Sequence, residues 1–177
     1  MKTRDMIFAA LFAALTAAGA FIRIPLGFST ITLQFLFTAL AGILLGGRLG
    51  ALSQAVYVAL GLAGVPIFAS GGGLQYVFNP TFGFIIGLIP TAWIIGRLTE
   101  RDKSPKRVIP ACIAGLAVLY LIGMPYMGVI VNVYLDKGLT LWQIMKSGML
   151  IYLPGDCLKI AVCAAAAPPL ARAVPRA

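Results

Sequence analysis

Residues 150–170 read LIYLPGDCLKIAVCAAAAPPL, from Leu150 to Leu170. Only two side chains in the run are charged, Asp156 and Lys159. A helix that crosses the hydrocarbon core of a bilayer needs about 20 mostly apolar residues, so the stretch predicts a membrane span. An ionisable residue in such a place is costly, which makes it a functional-site candidate. Asp156 and Lys159 are three apart and share one helix face. They could form an ion pair that merely neutralises itself in lipid. A self-contained pair gains little stability for its desolvation, so a ligand role is the stronger reading.

The rest of the chain agrees with a membrane setting. Of its 177 residues, 60% are apolar and 11% are charged, whereas soluble domains run about 45–50% and about 25%. Five further apolar runs precede the last one: Met6 to Ile22, Ile31 to Leu45, Ala51 to Phe68, Pro80 to Leu98 and Val108 to Met127. They predict an all-α integral membrane protein, six transmembrane helices in one bundle, and a single domain over residues 1–177. The first run also resembles a signal peptide, since Lys2 and Arg4 precede it. The later runs need it as a packing partner, which favours a retained helix.

Lys and Arg set the orientation. With the N-terminus inside, the inner segments hold ten of the fourteen: Lys2, Arg4, Arg48, Arg97, Arg101, Lys103, Lys106, Arg107, Arg172 and Arg176. The outer segments hold Arg23, Lys137 and Lys146, and Lys159 lies within a span. Both termini are therefore expected in the cytoplasm. The net charge of +9 reads as topology, not nucleic-acid binding; the basic loop from Arg97 to Arg107 is first a topology determinant and second a docking surface. The chain has no His, the commonest general base and metal ligand. Cys112, Cys157 and Cys163 lie in apolar runs without a CxxC spacing, so no disulfide or zinc set is expected.

Several segments converge on the outer side. The loop from Arg23 to Thr30 is apolar enough to be a lid, and Gln34 follows it just inside the second helix. Gly71-Gly72-Gly73 lacks the strand and the Lys-Ser/Thr of a phosphate loop, so its glycines are expected to let the backbone turn or approach closely. Asn79-Pro80 has the form of a helix start, an N-cap followed by Pro at the first helical position. Leu139 to Lys146 predicts a short amphipathic helix on the membrane surface. Asn79, Asp156, Lys159 and Gln34 then lie at similar depth, with aromatic walls from Phe28, Tyr76, Phe78, Phe82 and Tyr152. Such a pocket suits a small, mostly apolar molecule with a few polar groups. In the first helix, Ala9 stacks on Ala13 and Ala10 on Ala14, small faces that let membrane helices approach closely, within the bundle or between molecules.

The sequence also resembles a known family. Ile31-Thr32-Leu33-Gln34, Gly61-Leu62-Ala63-Gly64-Val65-Pro66-Ile67-Phe68-Ala69 with Gly71-Gly72-Gly73, Asn79-Pro80-Thr81-Phe82-Gly83-Phe84, and Leu153-Pro154-Gly155-Asp156 with Lys159 are similar to motifs of the BioY family. These are biotin-specific substrate-binding subunits of energy-coupling factor (ECF) transporters. The fourth-helix motif departs from the Gly-Pro-Thr-Gly-Gly more often seen there. The resemblance implies capture of biotin in a bacterial-type cell membrane by a six-helix subunit that is not an enzyme and needs no cofactor. It implies a transmembrane coupling subunit and two cytosolic ATPases as partners, met through Ala9, Ala10, Ala13 and Ala14. It implies Asp156 and Asn79 at the ureido groups of biotin, with Lys159 at the carboxylate or ordering Asp156. An S-component for another vitamin, a stand-alone proton-coupled carrier and a membrane-embedded enzyme are the competing readings. The last lacks any nucleophile–base set.

Overall fold

The structure is a computed structural model that describes residues 3–26 and 29–173. The described residues form seven α-helices and one hairpin: α1 (Thr3–Phe21), β1 (Arg23–Leu26), β2 (Ser29–Thr32), α2 (Gln34–Leu45), α3 (Gly47–Leu62), α4 (Phe82–Thr99), α5 (Pro105–Val129), α6 (Leu141–Met145) and α7 (Leu153–Ala173). Among the described residues, four stretches are long and apolar enough to cross a membrane: Thr3–Phe21, Phe82–Thr99, Pro105–Tyr134 and Leu141–Arg172. The predicted second and third spans are shorter, with 12 residues in α2 and 16 in α3. At 1.5 Å per residue these are about 18 and 24 Å long. The count of six spans is therefore not settled by helix length.

The bundle is held at its centre by small residues. Gly46, at φ 83°, turns the chain from α2 straight into α3, a conformation that L side chains rarely adopt. A Cβ on Gly42 would lie 2.5 Å from Ala92 O, and one on Gly96 would meet Gly47 N and sit 2.7 Å from Gly42 O. The α2–α3 corner thus packs backbone against backbone on α4. A second tie is polar. Thr38 Oγ1 donates to Gln54 Oε1 at 2.9 Å, and Gln54 Nε2 donates to Thr16 Oγ1 at 3.2 Å and Ser53 Oγ at 3.0 Å. All four residues are fully buried, so α1, α2 and α3 are joined by a satisfied network, the condition under which buried polar groups are tolerated.

Three expectations change. The first outer loop is a β-hairpin, with Arg23 opposite Thr32 and Leu26 opposite Ser29. Gly27 and Phe28, at its tip, lie outside the described residues. The short helix expected over Leu139 to Lys146 is present as α6, but it does not end there. The chain continues α5 through a π turn over Ile130–Tyr134, and α6 runs through another over Lys146–Leu150 towards α7. Asn132 closes the intervening turn by two hydrogen bonds to the Leu139 backbone, at 2.7 and 2.8 Å. A capping box between Thr140 and Gln143 starts α6. The alanines of α1, finally, divide: Ala9 and Ala13 are buried in the bundle, whereas Ala10, Ala14 and Ala18 lie on the outward face. At the opposite end, Ser104 N–H and O–H donate to the Asp102 carboxylate at 2.8 Å each, and these bonds hold its pKa below the ordinary value.

Candidate functional site

Leu153 opens α7, so Asp156 and Lys159 fall in its first two turns and point into the bundle. Lys159 Nζ lies 2.8 Å from Asp156 Oδ1, and both side chains are less than one-tenth exposed. The second carboxylate oxygen is also engaged: Tyr120 on α5 donates its hydroxyl to Asp156 Oδ2 at 2.6 Å. A charge-assisted hydrogen bond of this length belongs to the stronger class. The carboxylate is thereby held from two helices, and its cation is held with it.

This triad forms one wall of a partly enclosed cavity of about 90 Å³, with the apolar walls and few polar groups usual for small-molecule sites. Apolar walls come from Phe35 on α2, Phe84, Ile85 and Leu88 on α4, Leu119 on α5, and Ala69 in the loop after α3. Thr32, Gln34, Tyr76, Thr81 and Tyr152 add polar groups, and Gly148 lines it from the π turn before α7. Gln34 is clamped: Nε2 donates to Tyr57 Oη at 2.8 Å, and Oε1 accepts from Thr32 Oγ1 at 2.8 Å.

The predicted residues fare unequally. Asp156, Lys159, Gln34, Tyr76 and Tyr152 all line the cavity. Asn79 does not. Its Oδ1 accepts from Thr81 N–H at 2.9 Å and Thr81 Oγ1 at 2.7 Å, closing the turn before α4, whose N-cap is Thr81 and not Asn79 as expected. Thr81, two residues on, lines the cavity in its place. Phe82 is buried behind that wall, edge-on to Tyr76 at 6.3 Å and to Tyr126 at 6.0 Å. It supports Tyr76 without lining the cavity. Phe78 is exposed and stacks on Tyr134 at 4.8 Å. The triple glycine serves the backbone: Gly73 N–H donates to Gly61 O at 2.7 Å, and a Cβ on Gly72 would collide with Val65 O. Phe68 is thereby folded under the loop, against Tyr57 and Tyr76 at 5.5 and 4.7 Å. Tyr120 was missed. Its signal was a lone tyrosine hydroxyl midway along a predicted span, which needs a partner when buried.

Comparison with known proteins decides the family. The family model described as the BioY family matches residues 1–176. The chain belongs to the BioY family. Among BioY relatives, one from Lysinibacillus sphaericus named "Probable biotin transporter BioY" is 45% identical over 163 residues, covering 90% of this chain and 83% of that protein. The biotin transporter BioY of Thermotoga maritima is 35% identical over 162 residues, covering 91% and 92%. That of Rhodobacter capsulatus is 36% identical over 184 residues, covering 98% and 96%. A crystal structure of the S-component for biotin from an ECF-type ABC transporter superposes with a TM-score of 0.71 at 24% identity, covering 97% of this chain and 95% of that one. The BioY chain described here therefore has the S-component fold and is a multi-pass membrane protein.

Proposed function

We propose that this protein captures biotin from the outer side of the cell membrane and serves as the substrate-specificity subunit of an ECF-type transporter. The observation that carries this reading is the Tyr120–Asp156–Lys159 triad, a buried acid and base in the wall of an otherwise mostly apolar cavity. Biotin combines an apolar sulfur ring with a ureido group and a carboxylate, so it needs both kinds of wall. The relatives named as biotin transporters support the ligand and a transport role. In this reading the chain crosses the membrane six times, with α2 and α3 as short spans and both termini in the cytoplasm, which the Lys and Arg distribution supports. Surrounding lipid meets the outer apolar faces.

The partners would be a transmembrane coupling subunit and two cytosolic ATPases. The outward stripe of Ala10, Ala14 and Ala18 is the face of α1 offered to the coupling subunit; Ala9 and Ala13 pack inside. Titration calorimetry on the detergent-purified protein tests the reading. Biotin is expected to bind at one site per chain, with Asp156→Asn and Lys159→Ala each losing affinity. Binding of thiamine or riboflavin without biotin would refute it. Uptake into vesicles with and without the ATP-driven partners decides between a subunit and a stand-alone carrier.

A further inference from the structure

Tyr57 on α3 is fully buried, and its hydroxyl lies between two partners. Gln34 Nε2 is at 2.8 Å and Ile67 O at 3.1 Å. A phenol has one proton, and a backbone carbonyl only accepts. The proton therefore goes to Ile67, and towards Gln34 the phenol can only accept. Gln34 must turn its NH2 group to Tyr57. The other end of the amide is compatible with that orientation. Thr32 Oγ1 donates to Gln34 Oε1 at 2.8 Å and accepts from the backbone N–H of Gln34 at 3.4 Å. Of the two orientations open to the amide, the Tyr57 end therefore selects one. Among the described residues, the second Nε2 hydrogen of Gln34 has no protein acceptor, and Gln34 lines the cavity.

We propose that Tyr57 is a positioning residue for ligand selection: the Ile67–Tyr57–Gln34 relay keeps an N–H, not a C=O, facing the cavity, so a ligand must bring an acceptor to that point. The proposal rests on the biotin reading above. Biotin carries two such acceptors, the ureido oxygen and the carboxylate. The relay also ties the outer loop after α3 to the cavity wall, since Ile67 belongs to that loop.

The test is a cycle of ligands against variants. Wild type and Tyr57→Phe are titrated with biotin, with 2-iminobiotin, whose nitrogen donates where the ureido oxygen accepts, and with biotinol, whose tail ends in an alcohol in place of the carboxylate. The phenylalanine ring keeps the edge contact to Phe68 at 5.5 Å but frees the amide to flip. In wild type, the analogue altered at the group facing Gln34 binds more weakly than biotin. In Tyr57→Phe that ratio is expected to shrink by about five- to tenfold, with the other ratio unchanged. A purely structural role would weaken all three ligands alike, and two unchanged ratios would overturn the proposal. In a Gln34→Leu background, Tyr57→Phe should cause no further change in either ratio; a further change overturns action through Gln34. Gln34→Glu, which cannot donate to Tyr57 as a carboxylate, gives the same reading without touching Tyr57, and an unaltered ratio there also overturns it. Wild type that shows no binding of biotin refutes the functional reading instead. In that case ¹⁵N spectra decide the proposal: a Gln34 side-chain N–H that exchanges slowly with water in wild type, and that shifts and exchanges faster in Tyr57→Phe, supports the relay, and identical shifts and exchange rates overturn it.

Discussion

Replacing Lys159 with Met removes the cation from the cavity wall at nearly constant volume. The Asp156 carboxylate then keeps only the Tyr120 hydroxyl as a partner, at 2.6 Å. Both members of the pair are buried, with side chains 9% and 7% exposed, so discounting for solvent screening is small. Breaking a buried pair from one side costs about 3–5 kcal/mol, because an uncompensated charge is left behind. For a chain of this size each kcal/mol moves Tm by about 2–4 °C. Lys159→Met should therefore lower Tm by roughly 6–20 °C, read by intrinsic fluorescence in detergent without biotin. Removing the whole triad tells the other half. A Tyr120→Phe, Asp156→Leu, Lys159→Met protein leaves no orphaned polar group among the three, and apolar replacement of a buried pair is often neutral or stabilising. Its Tm should lie near or above that of wild type, yet it should bind no biotin. The pair would then be kept for the ligand and not for the fold. A Lys159→Met protein within about 2 °C of wild type, well under the shift a broken buried pair requires, or a triple variant that still binds biotin, refutes the reasoning.

Three further outcomes follow from the same structure. Ala13→Leu, which overpacks the interior of the bundle, should cost the isolated protein about 1–3 kcal/mol; Ala10→Leu and Ala14→Leu should leave Tm and biotin binding unchanged while reducing ATP-driven uptake with the coupling partners. Gly96→Ala drives a methyl onto the backbone of Gly46, Gly47 and Gly42, where no side chain can yield, and should lower Tm by more than Gly155→Ala, which meets nothing within 4 Å. Asn79→Asp keeps the oxygen that accepts from Thr81 and should preserve Tm and biotin affinity, whereas Asn79→Ala loses about 1 kcal/mol of turn hydrogen bonding; loss of binding in the Asp variant alone would place the Asn79 amide on the ligand.

What the sequence determined by itself was whatever depends on neighbours along the chain. Composition marked the membrane, the three-residue spacing put Asp156 and Lys159 on one face, and the Asn-Pro step marked the turn into α4. Which side of each helix faces the bundle was decided only in three dimensions. In a soluble helix the apolar stripe reveals the buried face. Lipid is as apolar as a protein core, so nothing in the α1 sequence separates Ala9 and Ala13, which are buried, from Ala10 and Ala14, which are exposed. The same holds for the partners of polar groups. Tyr120 reaches Asp156 across 36 positions of sequence, and Gln34 reaches Tyr57 across 23. Asn79, expected at the pocket, spends its amide oxygen on Thr81 two residues on. The acid and base were legible because their spacing is local, and Gln34 because it opens a span on the same side; the tyrosines that hold them, Tyr120 and Tyr57, were not, because helix packing alone brings them to their partners.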